Sequence, residues 1–127
     1  MLKYYFSVHA RFKKDIDVKK LEAEIGKKAF KTTYLKDSLG KPEHKSAKIS
    51  YRSSIKNDVY VDQEFERFLN TASPLISKIT KYLDDFEGKL WITIVFTNLG
   101  EKPSIALSNQ SIQILHNLHA NFDIDFI

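Results

Sequence analysis

The residues of this chain that could bind a metal ion are its four histidines, two of which fall near the end. His116 and His119 are three positions apart, which on a helix places both side chains on one side. A metal site needs at least one more ligand, and the nearest acids, Asp123 and Asp125, fall in the predicted strand that follows. No HExxH motif is present. We therefore expect no metal ion and no other cofactor, and we interpret the pair as a polar helix surface.

Two pairs of acids could instead support acid–base chemistry. Asp84 and Asp85 fall near a predicted helix end among lysines, where solvation is the simpler interpretation. Asp123 and Asp125 alternate with apolar residues, so both carboxylates point to one face of a strand. They would act as general acid or base only if held against a substrate. The simpler interpretation makes them cross-strand partners of cations on predicted neighbouring strands, namely Lys3, Arg11, Lys48 and Arg52.

Other catalytic signatures are missing from the sequence. There is no cysteine, which excludes disulfides, thiolate metal sites and a cysteine nucleophile. The four glycines are scattered singly, so no glycine-rich phosphate loop is present, and no GxSxG motif occurs. The sequence therefore predicts a protein that is not an enzyme.

Aromatic and basic side chains alternate along three predicted strands and could share one open sheet face. The candidate binding residues on that face are Tyr5, His9, Arg11, Lys48, Arg52 and Trp91, with Thr93 beside them. Such a face stacks bases in RNA-recognition sheets, although the RNP-type motif is absent here. It suits a protein partner equally well, because Tyr, Trp and Arg dominate interface hot spots. A third interpretation has Trp91 covered by a loop and the charges paired, and the sequence leaves all three open.

The strands that would carry these side chains follow from the hydrophobic pattern. Strict alternation over residues 4–12 predicts a first strand with one buried face. Residues 47–55 alternate again and predict another strand, and a short one is compatible with residues 32–35. Residues 90–96 are apolar on both faces, as in a central strand. Residues 121–127 form the closing strand.

Helical spacing and caps predict the remaining elements. Residues 17–26 predict a first helix, and residues 61–87 predict a long helical region with Asp62 as its N-cap and Gly88 as its end. Pro74 either kinks one helix or begins a second. Ser108 begins a last helix that runs through His119.

These elements predict one α+β domain over residues 1–127. We expect a mainly antiparallel sheet of four to five strands with helices packed on one face, a two-layer sandwich. Asn121, which tolerates a left-handed conformation, would make the turn before the closing strand.

Composition and charge limit the class of protein. The chain has 127 residues, of which 43% are hydrophobic and 28% charged, as in a globular domain. Residues 1–57 hold 15 Lys and Arg against 6 Asp and Glu, whereas residues 58–127 hold 5 against 10. The split predicts either a basic face for an acidic partner or two halves that attract each other in the fold. No signal-peptide pattern or membrane-spanning run occurs, so we expect a cytoplasmic protein.

Both ends of the chain resemble those of a known family. Near the front, DIDVKKLEAEIG follows a strand and combines an acidic turn, a short amphipathic helix and a glycine. At the close, LSNQSIQILHNLHANFDIDFI combines leucine-serine, a helix with paired leucines, and a last strand that carries aspartate and ends in an aromatic residue. In these features the chain resembles the bacterial domain-of-unknown-function 4279 family. The resemblance implies a small, usually stand-alone bacterial protein, and it implies no catalytic residue.

We therefore expect a non-catalytic protein-binding module. Its most concrete form is a bacterial immunity protein that neutralises a cognate toxin by covering the toxin's active site, an expectation by association with other small bacterial domains. Acids of the long helical region, Asp62 and Glu66 among them, could contact a basic toxin. The alternative is a nucleic-acid-binding module that uses the basic and aromatic sheet face, with affinity that falls steeply with salt.

Overall fold

The computed structural model describes residues 2–13, 20, 23–24, 31–35, 46–57, 59–85, 87–97 and 105–127. Within these residues the elements are β1 (Tyr4–Phe12), β2 (Lys31–Leu35), β3 (Ser46–Arg52), α1 (Val61–Asp85), β4 (Gly88–Phe96), α2 (Asn109–Asn117) and β5 (Asn121–Phe126). The α+β class predicted from the sequence is confirmed. The predicted first helix over residues 17–26 lies largely outside the described residues.

The strands form one mixed sheet in the order β2–β3–β1–β4–β5. The pairings β2/β3, β3/β1 and β1/β4 are antiparallel, whereas β4 and β5 are parallel. The parallel pairing arises because α2 crosses over between β4 and β5 and returns the chain to the same end of the sheet. The sheet is therefore not purely antiparallel.

The core lies between the sheet and α1. Every second residue of β1 is buried on this face: Tyr4, Phe6, Val8, Ala10 and Phe12. The ring of Phe6 packs against the rings of Phe65 and Phe68 of α1, with centroids 5.3 and 5.2 Å apart. Strict alternation in the sequence is therefore matched by one face packed on a helix.

α1 is a single helix of 25 residues that continues through Pro74. Pro74 is exposed, so its ring faces solvent and the buried stripe of the helix runs past it without a break. The helix begins at Val61, and the backbone N–H of Glu64 donates to the Tyr60 carbonyl at 2.9 Å. Tyr60 is therefore the N-cap and Asp62 lies within the first turn, so the prediction that Asp62 is the N-cap is wrong by two residues.

One of the left-handed residues lies two positions before Asn121, the residue for which the sequence predicted a left-handed conformation. Among the described non-glycine residues, Glu87 and His119 have positive φ, of 49° and 51°. His119 follows the C-cap Leu118 and occupies the left-handed position of a Schellman motif, in which the N–H of Ala120 donates to the Leu115 carbonyl at 3.2 Å. The prediction of a left-handed turn at Asn121 is wrong, because that residue already belongs to β5.

Candidate functional site

The sheet face turned away from α1, here called the second face, carries most of the predicted binding residues. It is formed by the odd-numbered residues of β1 and β4 and by the residues aligned with them in β3 and β5. The register pairs along its centre are Tyr5 with Val95, Ser7 with Thr93, His9 with Trp91, and Arg11 with Lys89. The alternation read from the sequence therefore brings these positions together as expected.

His9 and Trp91 form a stacked pair on the second face. Their rings lie 5.1 Å apart between centroids, with an angle of 12° between the planes. Both residues are half-buried. The two strands hold the rings side by side because the residues are direct register partners in neighbouring strands. One face of each ring is thereby covered by the other.

Tyr5 and Arg52 form a second pair towards the other end of the face. The guanidinium carbon of Arg52 lies 4.6 Å from the centroid of the Tyr5 ring. Arg52 is aligned with Ser7 in the register, so its long side chain reaches diagonally to Tyr5. Such a contact holds the guanidinium in place and contributes about 0.5–1 kcal/mol at an exposed site.

The end of the second face beyond the stacked pair is basic. Arg11 is aligned with Lys48 of β3 on one side and with Lys89 of β4 on the other. Three neighbouring strands thus carry Lys or Arg at adjacent register positions, here called the basic row, and the exposed cations Arg11 and Lys89 within it repel each other. Arg11 and Lys89 are exposed, and within the described part of the chain neither forms a salt bridge. An anionic partner would relieve this repulsion.

The middle of the second face is closed, not open. Thr93 is only 3% exposed, and Val95 beside it is buried too. The expectation that Thr93 belongs to an open binding face is therefore wrong. Tyr5 is the register partner of Val95, and Trp91 lies two residues before Thr93 on the same side of β4, so the two half-buried rings flank the closed positions.

Asp62 and Glu66 do not join the other predicted binding residues. Both lie on α1, which packs against the opposite face of the sheet. Glu66 is engaged internally, because its Oε1 accepts a hydrogen bond of 2.6 Å from the Ser108 hydroxyl. The Ser108 Oγ also caps α2 by accepting from the Ser111 N–H at 3.1 Å. Glu66 therefore links the two helices, and of the two acids only Asp62 is exposed.

The acidic pair of the closing strand lies far from the cations predicted to neutralise it. Asp123 and Asp125 are aligned with Thr93 and Val95 of β4. Because β5 is at the outer edge of the sheet, β4 separates it from β1 and from β3 beyond. The predicted cross-strand pairing with cations of β1 and β3 is therefore wrong.

No further chemistry is apparent in the described residues. The rings of His116 and His119 lie 6.4 Å apart, and no group of three or more His, Asp or Glu side chains in the described ranges could hold a metal ion. A shallow groove of about 170 Å³ lies beside α1. It is lined by Ser53, Lys56, Glu64, Arg67, Phe68 and Thr71. Its charges are paired, because the Glu64 carboxylate contacts Lys56 at 3.2 Å and Arg67 at 2.8 Å.

Comparison with protein families gives one match. The profile of a domain of unknown function, DUF4279, matches residues 2–127. The chain belongs to the DUF4279 family. Neither the curated proteins nor the solved structures contain a significant match. In the parts of this DUF4279 chain that the structure describes, no helix has the length and apolar character needed to cross a membrane.

Sequence reasoning missed one residue of the second face in this DUF4279 protein. Lys89 completes the basic row, yet only Trp91 and Thr93 were assigned to the face from that strand. The signal was present, because Lys89 is two residues before Trp91 and shares its side of the strand. The order of the strands in the sheet, in contrast, left no signal in the sequence. The alignment of Arg11 between two lysines depends on which strands are neighbours, and the sequence does not state this.

Proposed function

We propose that this DUF4279 protein is a non-catalytic protein-binding module that uses the second face as its contact surface. The observation that carries the proposal is the presence of two pre-formed aromatic pairs, Tyr5 with Arg52 and His9 with Trp91. Tyr, Trp and Arg supply most of the energy at protein interfaces. Side chains already held in place lose less conformational entropy on binding, so their contact area is converted into affinity more efficiently.

The most concrete form of the proposal is a bacterial immunity protein that covers the active site of a cognate toxin. The basic row supports a partner whose contact surface is acidic near Arg11 and Lys89. The acidic residues of α1 support contact with a basic partner less well than the sequence suggested. Glu64 is ion-paired and Glu66 is hydrogen-bonded within the protein, which leaves Asp62 as the exposed acid of the first turns.

A second candidate function is nucleic-acid binding, which the basic row favours. Phosphate groups would relieve the repulsion among its cations, and affinity would fall steeply with salt. Base stacking counts against it, because non-specific single-strand binding uses aromatic ring faces that are open to successive bases. In both pairs, one face of each ring is already covered by a neighbour in the protein. The protein-binding proposal therefore ranks first.

The proposal includes a two-layer arrangement and a cytoplasmic location. In the two-layer arrangement both helices cover the face that bears Phe6, and the parts of the second face at the Tyr5–Arg52 and His9–Trp91 pairs are left for a partner. The shared core of α1 and the sheet supports this, as do the buried Leu115 and Leu118 at the end of α2. A protein without cysteine suits a reducing compartment, which supports the cytoplasmic location.

The experiment that tests the proposal is affinity capture from a lysate of the native host, repeated with and without nuclease and at two salt concentrations. The wild type is compared with an Arg52→Ala/Trp91→Ala variant and with a matched control, Lys78→Ala, on the exposed side of α1. We expect a stoichiometric protein partner that survives nuclease and is retained by the control. The double variant should bind it at least about fivefold more weakly, since hot-spot truncations cost more than about 1 kcal/mol.

Two results would decide against the proposal. If the captured protein binds the double variant as well as the wild type, the second face is not the contact surface. If nucleic acid alone is recovered and is lost as salt rises, the second candidate function is correct. For the immunity form, the purified protein must also block the toxic activity of its captured partner, and a partner without such activity would leave only the general binding role.

A further inference from the structure

The outer edge of β5 carries backbone groups that no strand of the described sheet satisfies. β5 is the last strand in the order β2–β3–β1–β4–β5. The N–H of Ile127 points to β4, because it donates to the Phe96 carbonyl at 2.9 Å. Successive residues of a strand direct their backbone groups to alternate sides, so those of Phe122 and Ile124 point away from β4. Such an edge is a template for pairing with another strand.

The side chains of β5 alternate between two kinds along this edge. Asp123 and Asp125 are exposed on the second face. On the other face, Ile124 is 38% exposed and Phe126 is 41% exposed, although Phe126 stacks on Phe96 with centroids 5.4 Å apart. An added strand would cover apolar surface on one face of the sheet and would meet two carboxylates on the other.

We propose that β5 binds an extended segment of a partner protein in which basic residues alternate with apolar ones. The basic side chains would lie opposite Asp123 and Asp125, and the apolar side chains would cover Ile124 and Phe126. Backbone hydrogen bonds to Ile124 and Phe122 would supply the pairing, as in other cases of strand addition. This edge is a separate surface from the stacked pairs of the second face, so the inference does not depend on the proposed function.

Charge argues against a second copy of the chain as the occupant. In a two-fold symmetric antiparallel pairing centred on Ile124, Asp123 of one copy would lie opposite Asp125 of the other. Like charges directly opposite one another destabilise a strand pair, and charged residues on an edge are a usual defence against self-association. A basic segment reverses the sign of the same interaction.

The test uses a synthetic peptide of about six residues that alternates lysine with valine, the length of an ordinary strand. A peptide that alternates glutamate with valine is the control. Binding is followed by NMR of the full chain, with hydrogen exchange of the Phe122 and Ile124 amides as the readout. We expect saturable binding of the lysine peptide, slower exchange at these two amides, and little response to the glutamate peptide.

Charge reversal makes the test specific. Asp123→Lys/Asp125→Lys should lower the affinity for the lysine peptide by at least about twofold and up to about thirtyfold, the range expected for two cross-strand charge pairs. The same variant should now prefer the glutamate peptide. Asp84→Lys/Asp85→Lys, which reverses two exposed acids at the end of α1, is the matched control and should leave peptide preference unchanged.

Several outcomes would overturn the inference. They are the absence of binding at millimolar peptide, binding that charge reversal leaves unaltered, and protection confined to amides outside β5. A stable dimer of the wild type that Ile124→Lys dissociates would show that a second copy occupies the edge. Because Trp91→Ala should leave peptide binding intact, failure of this inference and failure of the proposed function can be told apart.

Discussion

The hydroxyl of Ser108 should contribute more to the stability of this protein than an ordinary surface hydroxyl. It caps α2 by accepting from the Ser111 N–H at 3.1 Å and donates to the Glu66 carboxylate at 2.6 Å. Loss of a serine cap costs about 1 kcal/mol. A hydrogen bond to a charged group contributes about 1.5–3 kcal/mol, and the lower end applies because the site is partly exposed. Ser108→Ala should therefore lower the free energy of unfolding by roughly 2–3 kcal/mol.

Urea unfolding followed by circular dichroism measures this change. For a domain of this size the slope m is about 1–3 kcal/mol per molar urea, so at a central m of about 2 the midpoint should fall by about 1–1.5 M with m unchanged. Ser77→Ala is the control, since Ser77 is exposed within α1, and its midpoint should stay within the equivalent of about 0.5 kcal/mol.

A double-mutant cycle with Glu66→Ala tests the link between the helices. The two side chains share one hydrogen bond, so the double variant should lose less stability than the two single variants together. Full additivity would show that Glu66 does not depend on Ser108, and a Ser108→Ala midpoint equal to that of wild type would refute the reasoning altogether. In the latter case Glu66 would again be a candidate for contact with a partner.

Three further changes have expected outcomes. The Tyr82 hydroxyl donates to the Glu24 carboxylate, and this bond raises the pKa of Tyr82 to about 12 and lowers the pKa of Glu24. The stabilisation from this bond is present below the ordinary tyrosine pKa and is lost as pH rises through about 12. An ultraviolet titration should therefore show a late tyrosinate step that Tyr82→Phe removes. If the late step persists in Tyr82→Phe, the bond does not cause it. Gly88→Ala should cost about 1–3 kcal/mol in urea unfolding, because a Cβ there would lie 2.7 Å from Phe12, and a neutral result would mean that the ring moves easily. His119→Gly should raise the free energy of unfolding by about 0.5–1 kcal/mol, because glycine has no penalty at φ of 51°, and a loss would show that the imidazole makes a contact of greater value.

The parts of the fold that the sequence predicted are those with strong local periodicity. β1 alternates without exception, and its buried residues are the ones that the pattern indicated. The cap at Ser108 was also predicted, because a side-chain oxygen before an apolar helical stripe is a local signal. The local sequence around Pro74 did not show whether one helix continues there or a second helix begins. An exposed proline and a helix restart give the same hydrophobic pattern, and only the continuous backbone of α1 distinguishes them.

The candidate site depended on which strands are neighbours, and this the sequence did not state. Period two placed Tyr5, His9 and Arg11 on one side of β1, whereas the position of Trp91 directly beside His9 became known only from the register of β1 and β4. The same reasoning failed for Asp123, because it assumed that β5 joins the basic strands. Sequence predicts which side of a strand a residue occupies, whereas strand order is set by long-range packing of helices over the sheet.

Strand order also changes the meaning of the charge split between the two halves of the chain. β1, β2 and β3 come from the basic first half, and β4 and β5 come from the acidic second half, so the chain halves become sheet halves. On the second face, Arg11 of β1 and the acids Asp123 and Asp125 of β5 consequently stand apart instead of neutralising each other, because β4 lies between the two strands. Lys89 belongs to β4 itself, and it is separated from Asp123 along the strand, since Asp123 is aligned with Thr93. A face with separated charges orients a partner, because reversing the partner would place like charges together. The two proposed surfaces are therefore compatible with a single partner that presents an acidic body to the basic row and a basic strand to β5. If one partner uses both, the losses from Arg52→Ala and from Asp123→Lys/Asp125→Lys should add, since the groups contact different parts of it.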